Sequence, residues 1–223
     1  LVIIATAQAT QLACTKWKKL PFFDPKSAMI SALSLCLLLR TNSLGWAALA
    51  AFVAIASKFV VRIRGKHVFN PTCGALMALI AVGAPIWVSP GQWGNVAFFG
   101  FLMACLGGLV VMRSARADVA IAFLGFHALG LILRSLQVNE PMTIPFHRME
   151  SGAILLFAFF MISDPKTTPD ARAGRILFAF LVNAVGWYIQ FKLFGTNGPL
   201  WGLFLLAFAT PLIDVAFKGA RYS

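Results

Sequence analysis

The sequence predicts an all-α fold, a polytopic integral membrane protein with about nine observed segments, and three observations carry that expectation. Hydrophobic residues make up 60% of the chain and the mean hydropathy is +0.83, well beyond a soluble domain. The apolar residues gather in runs, roughly 1–15, 27–39, 45–61, 71–88, 95–112, 117–136, 150–162, 174–194 and 199–217. The charges gather between those runs. A formal net charge of +12 therefore acts as punctuation rather than as one basic face, which argues against nucleic acid as a partner.

Each run can be justified in turn. The first starts at Leu1, inside an apolar stretch with no basic region before it, so it is not read as a signal peptide. The N-terminus is expected to be incomplete, with room for a tenth segment before Leu1. The second run, 27–39, is too short to span comfortably. The third, 45–61, is a full span ending near Lys58. The fourth opens at Asn70-Pro71 and is expected to break near its end at Pro85. The fifth carries Gly100, Ala104, Gly107 and Gly108, a small-residue stripe suited to close helix packing. The sixth, eighth and ninth read as full spans.

The seventh run is the most informative. From Gly152 to Ile162 it has no charge, then it meets Ser-Asp-Pro-Lys directly. Eleven residues rise only about 16 Å, roughly half of a bilayer core. The helix is expected to stop at membrane depth. Its polar turn then needs a protected cavity, because irregular backbone there survives only where protein or water satisfies it.

Basic residues set the orientation. Lys16 to Lys26 holds four lysines, Arg62 to Lys66 holds three cations, and Arg113, Arg116, Lys166, Arg172, Arg175, Lys218 and Arg221 follow the fifth, seventh and ninth runs. Alternate connections, such as 88–94 and 195–198, carry none; Arg40 and Arg148 are the exceptions. The positive-inside rule puts the first group and the C-terminus in the cytoplasm. The runs 27–39, 45–61 and 71–88 then oppose 150–162, 174–194 and 199–217 in direction. This is the pattern of an inverted repeat in a single membrane domain over 1–223, with repeat triplets at about 27–88 and 150–217 and two short helices meeting near the midplane.

Four stretches then carry a resemblance. They are Ala54 to Thr72 with its Lys and Phe-Asn-Pro entry, Pro90 to Asn95 (PGQWGN), Phe159 to Pro169 (FFMISDPKTTP) and Ala209 to Asp214 (ATPLID). In that order the chain resembles the RnfD/NqrB family, membrane subunits of Rnf and sodium-pumping NADH:quinone oxidoreductase complexes. The resemblance implies a bacterial-type inner (cytoplasmic) membrane, other integral membrane subunits as partners, and lipids around them. It also implies an FMN on the Thr of a Ser-Gly-Ala-Thr motif, just before the stretch matched by PGQWGN. Here that motif is absent. Ser151-Gly152-Ala153 is followed by Ile154, which has no hydroxyl, and it stands beside the Asp-Pro signature instead. A covalent flavin does not carry over, and a non-covalent one is left open. PGQWGN resembles the family's PGSIGE stretch, and Asn95 stands where that stretch ends in an acid.

Candidate residues follow from charge at membrane depth. Asp164 reads as a cation or proton stop, as a gate at the cytoplasmic mouth, or as a cap of the next helix neutralised by Lys166. Lys58 reads as an interfacial snorkelling side chain, or as a counter-ion for an anionic cofactor or for Asp164. Asn70 reads as a helix cap or as a cavity-lining group. Asp164, Lys166, Lys58 and Asn70 thus make up the expected cation path or cavity. No catalytic residue is predicted. Asp118 is expected to complement a helix dipole, and Asp214 to pair with Lys218 at (i, i+4). The isolated Cys14, Cys36, Cys73 and Cys105 suit neither zinc nor iron–sulfur spacing and read as buried thiols. His67, His127 and His147 show no metal spacing, and His127 reads as a hydrogen-bonded core group. Tryptophans 17, 46, 87, 93 and 201 suit an interfacial belt.

Three functions fit these features. The first is a membrane subunit of a redox complex that helps electron transfer or cation translocation. The second is an accessory or scaffold subunit without a redox group, packed in a respiratory or photosynthetic complex. The third is a stand-alone channel or carrier for a small solute.

Overall fold

The computed structural model describes residues 1–89 and 116–220. The fifth run, its glycine stripe, Asn95 and Cys105 lie outside the described residues. The chain divides into two compact units, Leu1–Ser89 and Pro90–Ser223.

The first unit opens with α1 (Val2–Trp17), which turns Ala7, Thr10, Gln11 and Thr15 inward. Three of these four buried residues are polar while Leu12 faces outward, unlike the apolar inner face of a water-soluble helix. The helix packs on α3 (Leu44–Val60), whose buried Ala47, Ala50, Ala51 and Ala54 form a flat, small-residue face. Between them, α2 (Pro25–Leu38) begins two residues before the expected run. Asp24 caps it, its carboxylate accepting the Lys26 and Ser27 N–H groups at 3.1 and 3.3 Å, and Pro25 pre-sets the first turn. Arg40, one exception to the charge count, donates to the Cys36 carbonyl at the end of α2. A C-terminal cation satisfies the helix end there.

Two short antiparallel pairs interrupt the helices. β1 (Leu39–Arg40) pairs with β4 (Trp87–Val88). β2 (Arg62–Ile63) pairs with β3 (Lys66–His67) across a two-residue turn. Arg64 and Gly65 in that turn both have positive φ, 50° and 83°, the geometry that matches strand twist.

The fourth run holds α4 (Pro71–Ala81) and no more helix. The expected break at Pro85 comes earlier. Gly83, at φ 75°, ends the helix, and the Gly83 and Ala84 N–H groups fold back on the Ile80 and Leu79 carbonyls. That reciprocal pair is a Schellman closure, which glycine makes cheaply.

The second unit, as far as it is described, opens with α5 (Ala117–Val138), ended by Asn139 in the left-handed region at φ 54°. A short α6 (Thr143–Met149) lies in the connection between the sixth and seventh runs. Then come α7 (Gly152–Leu156), a π-helical turn (Phe157–Met161) and α8 (Arg172–Phe191). The ninth run is not one helix. It divides into α9 (Gly198–Leu206), a 3₁₀ turn (Ala207–Ala209) and α10 (Thr210–Ala216). Pro211 explains the break, since it offers no N–H and its ring crowds the carbonyl four residues back.

Close packing of α8 on α9 depends on glycine. A Cβ added at Gly202 would strike the Val182 carbonyl, and one at Gly198 the Gly186 carbonyl. Among the described residues of this unit, three helices are long and apolar enough to cross a membrane: Ala117–Val138, Arg172–Phe191 and the broken Gly198–Ala216.

Candidate functional site

The π-helical turn prepares the Asp164 site. Ile162 N–H reaches back five residues to the Phe157 carbonyl at 3.0 Å, and buried Ser163 donates to the Phe159 carbonyl. The helix then stops. The Asp164 carboxylate accepts the Lys166 N–H at 3.0 Å, an Asx turn that admits Pro165 between them. The Asp164 carbonyl is the hub of the turn. It takes the N–H groups of Thr167 and Thr168, both at 3.1 Å, and their hydroxyls at 3.2 and 3.1 Å. Thr167, Thr168 and Pro169 are buried, Asp164 is half-buried, and Lys166 is exposed. The carboxylate does not cap the next helix: α8 begins at Arg172, and its N-cap, Ala171, offers no side-chain hydrogen bond.

Three helices clamp this turn. From α10, Thr210 donates to the Thr167 carbonyl at 3.2 Å, and the Asp214 carboxylate accepts the Asp170 N–H at 2.7 Å. From α8, Arg175 donates to the Asp170 carbonyl. The same guanidinium grips both carboxylate oxygens of Asp118 on α5 through Nε, each at 2.9 Å, and adds a bond through Nη2. Gly174 leaves room, because a Cβ there would press on Ile213 and Pro169.

Sequence reasoning reads Asp118 and Asp214 as local charges and misses Arg175 and Thr210 as site residues. Asp118 instead holds an arginine 57 residues away. The expected (i, i+4) pairing of Asp214 loses its helical basis, since α10 ends at Ala216 and Phe217 is extended. The sequence does hold a usable signal. Arg175 lies inside a predicted span, and a charge there calls for a partner.

Lys58 and Asn70 belong to the first unit. The Lys58 ammonium does not snorkel. It is 5% exposed and donates to the Ser27 carbonyl and hydroxyl at 3.0 and 3.1 Å. Its own carbonyl meets His67 Nδ1 at 2.9 Å. Asn70 Oδ1 accepts the Cys73 N–H at 3.2 Å and caps α4. Lys58 and Asn70 thus share one unit, and Asp164 and Lys166 the other.

His127 Nδ1 and Asn183 Oδ1 are hydrogen-bond partners at 3.0 Å. The His127 ring stacks on Phe123. Among the described residues no three His, Cys, Asp or Glu side chains stand where they could hold a metal ion. Cys73 is buried as expected, whereas Cys36 is exposed.

The model of the NQR2, RnfD, RnfE family matches residues 82–223, which include the Asp164 turn and its whole clamp. The chain belongs to this family. Its similarity extends to proteins named as a subunit of the ion-translocating oxidoreductase complex. The one from Cronobacter sakazakii is 30% identical over 154 residues, 67% of this chain and 41% of that protein. The one from Erwinia tasmaniensis is 30% identical over 125 residues, 55% of this chain and 34% of that protein. The one from Vibrio cholerae is 27% identical over 133 residues, 59% of this chain and 36% of that protein. The chain therefore spans well under half the length of these relatives. The family and the apolar helices make it a membrane protein.

The residues at the Ser-Gly-Ala stretch do not fit a covalent flavin. Ile154 stands in the first turn of α7, its N–H on the Ser151 carbonyl, with no oxygen to form a phosphoester.

Proposed function

We propose that this chain is a membrane subunit of a redox-driven, ion-translocating oxidoreductase complex, and that the Asp164 turn lines its cation path. One observation carries the reading. A half-buried carboxylate stands where a half-helix stops, on a turn held from α5, α8 and α10, inside the family-matched region. Ionisable groups at membrane depth are costly and mark ion routes. Asp164 binds the cation, Lys166 tunes access from the turn's exposed side, and Lys58 and Asn70 line a second polar region in the other unit. The membrane is a bacterial-type inner membrane with the C-terminus cytoplasmic. The partners are other integral membrane subunits and lipids. Any flavin is held without a covalent link.

A second reading rests on Ile154. Without an attachment hydroxyl, the chain serves as a non-redox accessory subunit packed in a larger respiratory or photosynthetic complex.

The test uses the full chain expressed with its complex. The first reading expects a flavin spectrum in the purified complex. It also expects Asp164→Asn to assemble normally, since an amide oxygen still accepts the Lys166 N–H, while ion uptake into vesicles falls at least several-fold. A colourless chain that co-migrates stoichiometrically with a large complex favours the accessory reading. Unchanged uptake in Asp164→Asn removes that residue from the path.

A further inference from the structure

We infer that Arg148 and Arg134, gathered on the ring of Phe191, hold the phosphate of an anionic lipid headgroup. Three elements build the place. Arg134 comes from the last part of α5, Arg148 from the end of α6, and Phe191 is the final residue of α8. The Arg134 guanidinium carbon lies 4.4 Å from the ring centroid and that of Arg148 lies 5.5 Å from it. Each contact is a cation–π attraction, yet together they bring two like charges onto one ring. Glu140 answers only one of them, at 2.8 Å from Arg134 Nη1. Arg148 is half-buried and has no carboxylate partner among the described residues. The trio therefore keeps one uncompensated positive charge, and a phosphodiester carries one negative charge.

The setting selects the phosphate's source. α5 has 22 residues, a rise of about 33 Å, so its end reaches the bilayer surface. Phe146 stands exposed two residues before Arg148, Phe194 stands exposed three residues after Phe191, and Trp187 packs on Phe191 with ring centroids 5.6 Å apart. Aromatic rings and arginines beside exposed apolar side chains mark headgroup level. A guanidinium pair at that level can donate charge-assisted hydrogen bonds to a headgroup phosphate. The assignment also accounts for Arg148, which breaks the alternation of charge along the chain. Arg40, the other exception, is used up on a helix end.

The experiment measures thermal unfolding of the full chain in detergent with added phosphatidylglycerol, phosphatidylcholine or inorganic phosphate, with native mass spectrometry counting retained lipid. Phosphatidylglycerol is expected to stabilise the protein, and the other two additions are not. Arg148→Gln should weaken phosphatidylglycerol retention roughly fivefold. Arg148→Lys, which keeps the charge and guards against a folding defect, should retain most of it, as should Lys26→Gln, an exposed lysine elsewhere. Equal stabilisation by inorganic phosphate would make the ligand a soluble anion and overturn the lipid assignment. Undiminished lipid retention in Arg148→Gln would overturn the site itself.

Discussion

Arg175 and Asp118, 57 residues apart in sequence, meet through a two-pronged ion pair in which Nε and Nη2 of the guanidinium both reach the carboxylate. The side chains are only 10% and 15% exposed. The same arginine holds the Asp170 carbonyl, so a single residue joins α5, α8 and the turn that carries Asp164.

Removing one partner of this pair is expected to cost more than removing both. Arg175→Met strands a buried carboxylate, a loss of about 3–5 kcal/mol. Adding Asp118→Asn removes the stranded charge and should recover a large part of that loss. Thermal unfolding in a fixed detergent measures both. If the double variant were as unstable as the single one, the carbonyl contact to Asp170 would matter more than the ion pair.

The contact of α8 with α9 makes a contrast between two glycines. Gly202→Ala puts a methyl against the Val182 backbone, and rigid backbone cannot yield as a side chain can. A destabilisation of about 1–3 kcal/mol is expected. Gly125→Ala on α5 meets nothing within 4 Å, so it should be neutral or slightly stabilising through helix propensity. Equal effects at the two sites would mean that the α8–α9 approach is looser than these backbones imply.

These sites show how much of the molecule is legible in its sequence. The short helix and the Asp-Pro turn that ends it can be read because an uncharged run meets Asp-Pro-Lys without loop residues, whereas the π-helical turn at Phe157–Met161 leaves no such signal. Asn70-Pro71 announces a helix start by local chemistry alone, and the start is where it is expected. Apolar runs, however, do not state where a helix breaks inside them. Gly83 closes α4 before Pro85 can, and Pro211 divides a run that hydropathy reads as continuous. The Asp164 clamp is hidden for a different reason. Arg175, Asp118 and Asp214 come from three helices, and nothing local in the sequence pairs an arginine with a carboxylate 57 positions away or a carboxylate with a backbone N–H 44 positions away. Lys58 sits at a helix end, where a long cation normally reaches outward, so its inward turn toward Ser27 depends on the packing of α2 against α3.

Asn70 allows the capping role to be separated from a role in the cavity. Its side-chain oxygen accepts the Cys73 N–H, one of the four donors that a helix start leaves unmatched. Asn70→Ala removes that acceptor and should cost about 1 kcal/mol. Asn70→Asp keeps an acceptor at the same place, so stability should stay within a few tenths of a kcal/mol. The aspartate also adds a negative charge beside the polar groups of the first unit. A residue that only caps will therefore show ordinary ion uptake in Asn70→Asp together with ordinary stability. A residue that lines the path will show altered uptake at unchanged stability, because the added charge changes what a passing cation meets and leaves the helix start intact. Uptake and unfolding measured on the same preparations decide between the two roles, and loss of both together would assign Asn70 to the fold alone.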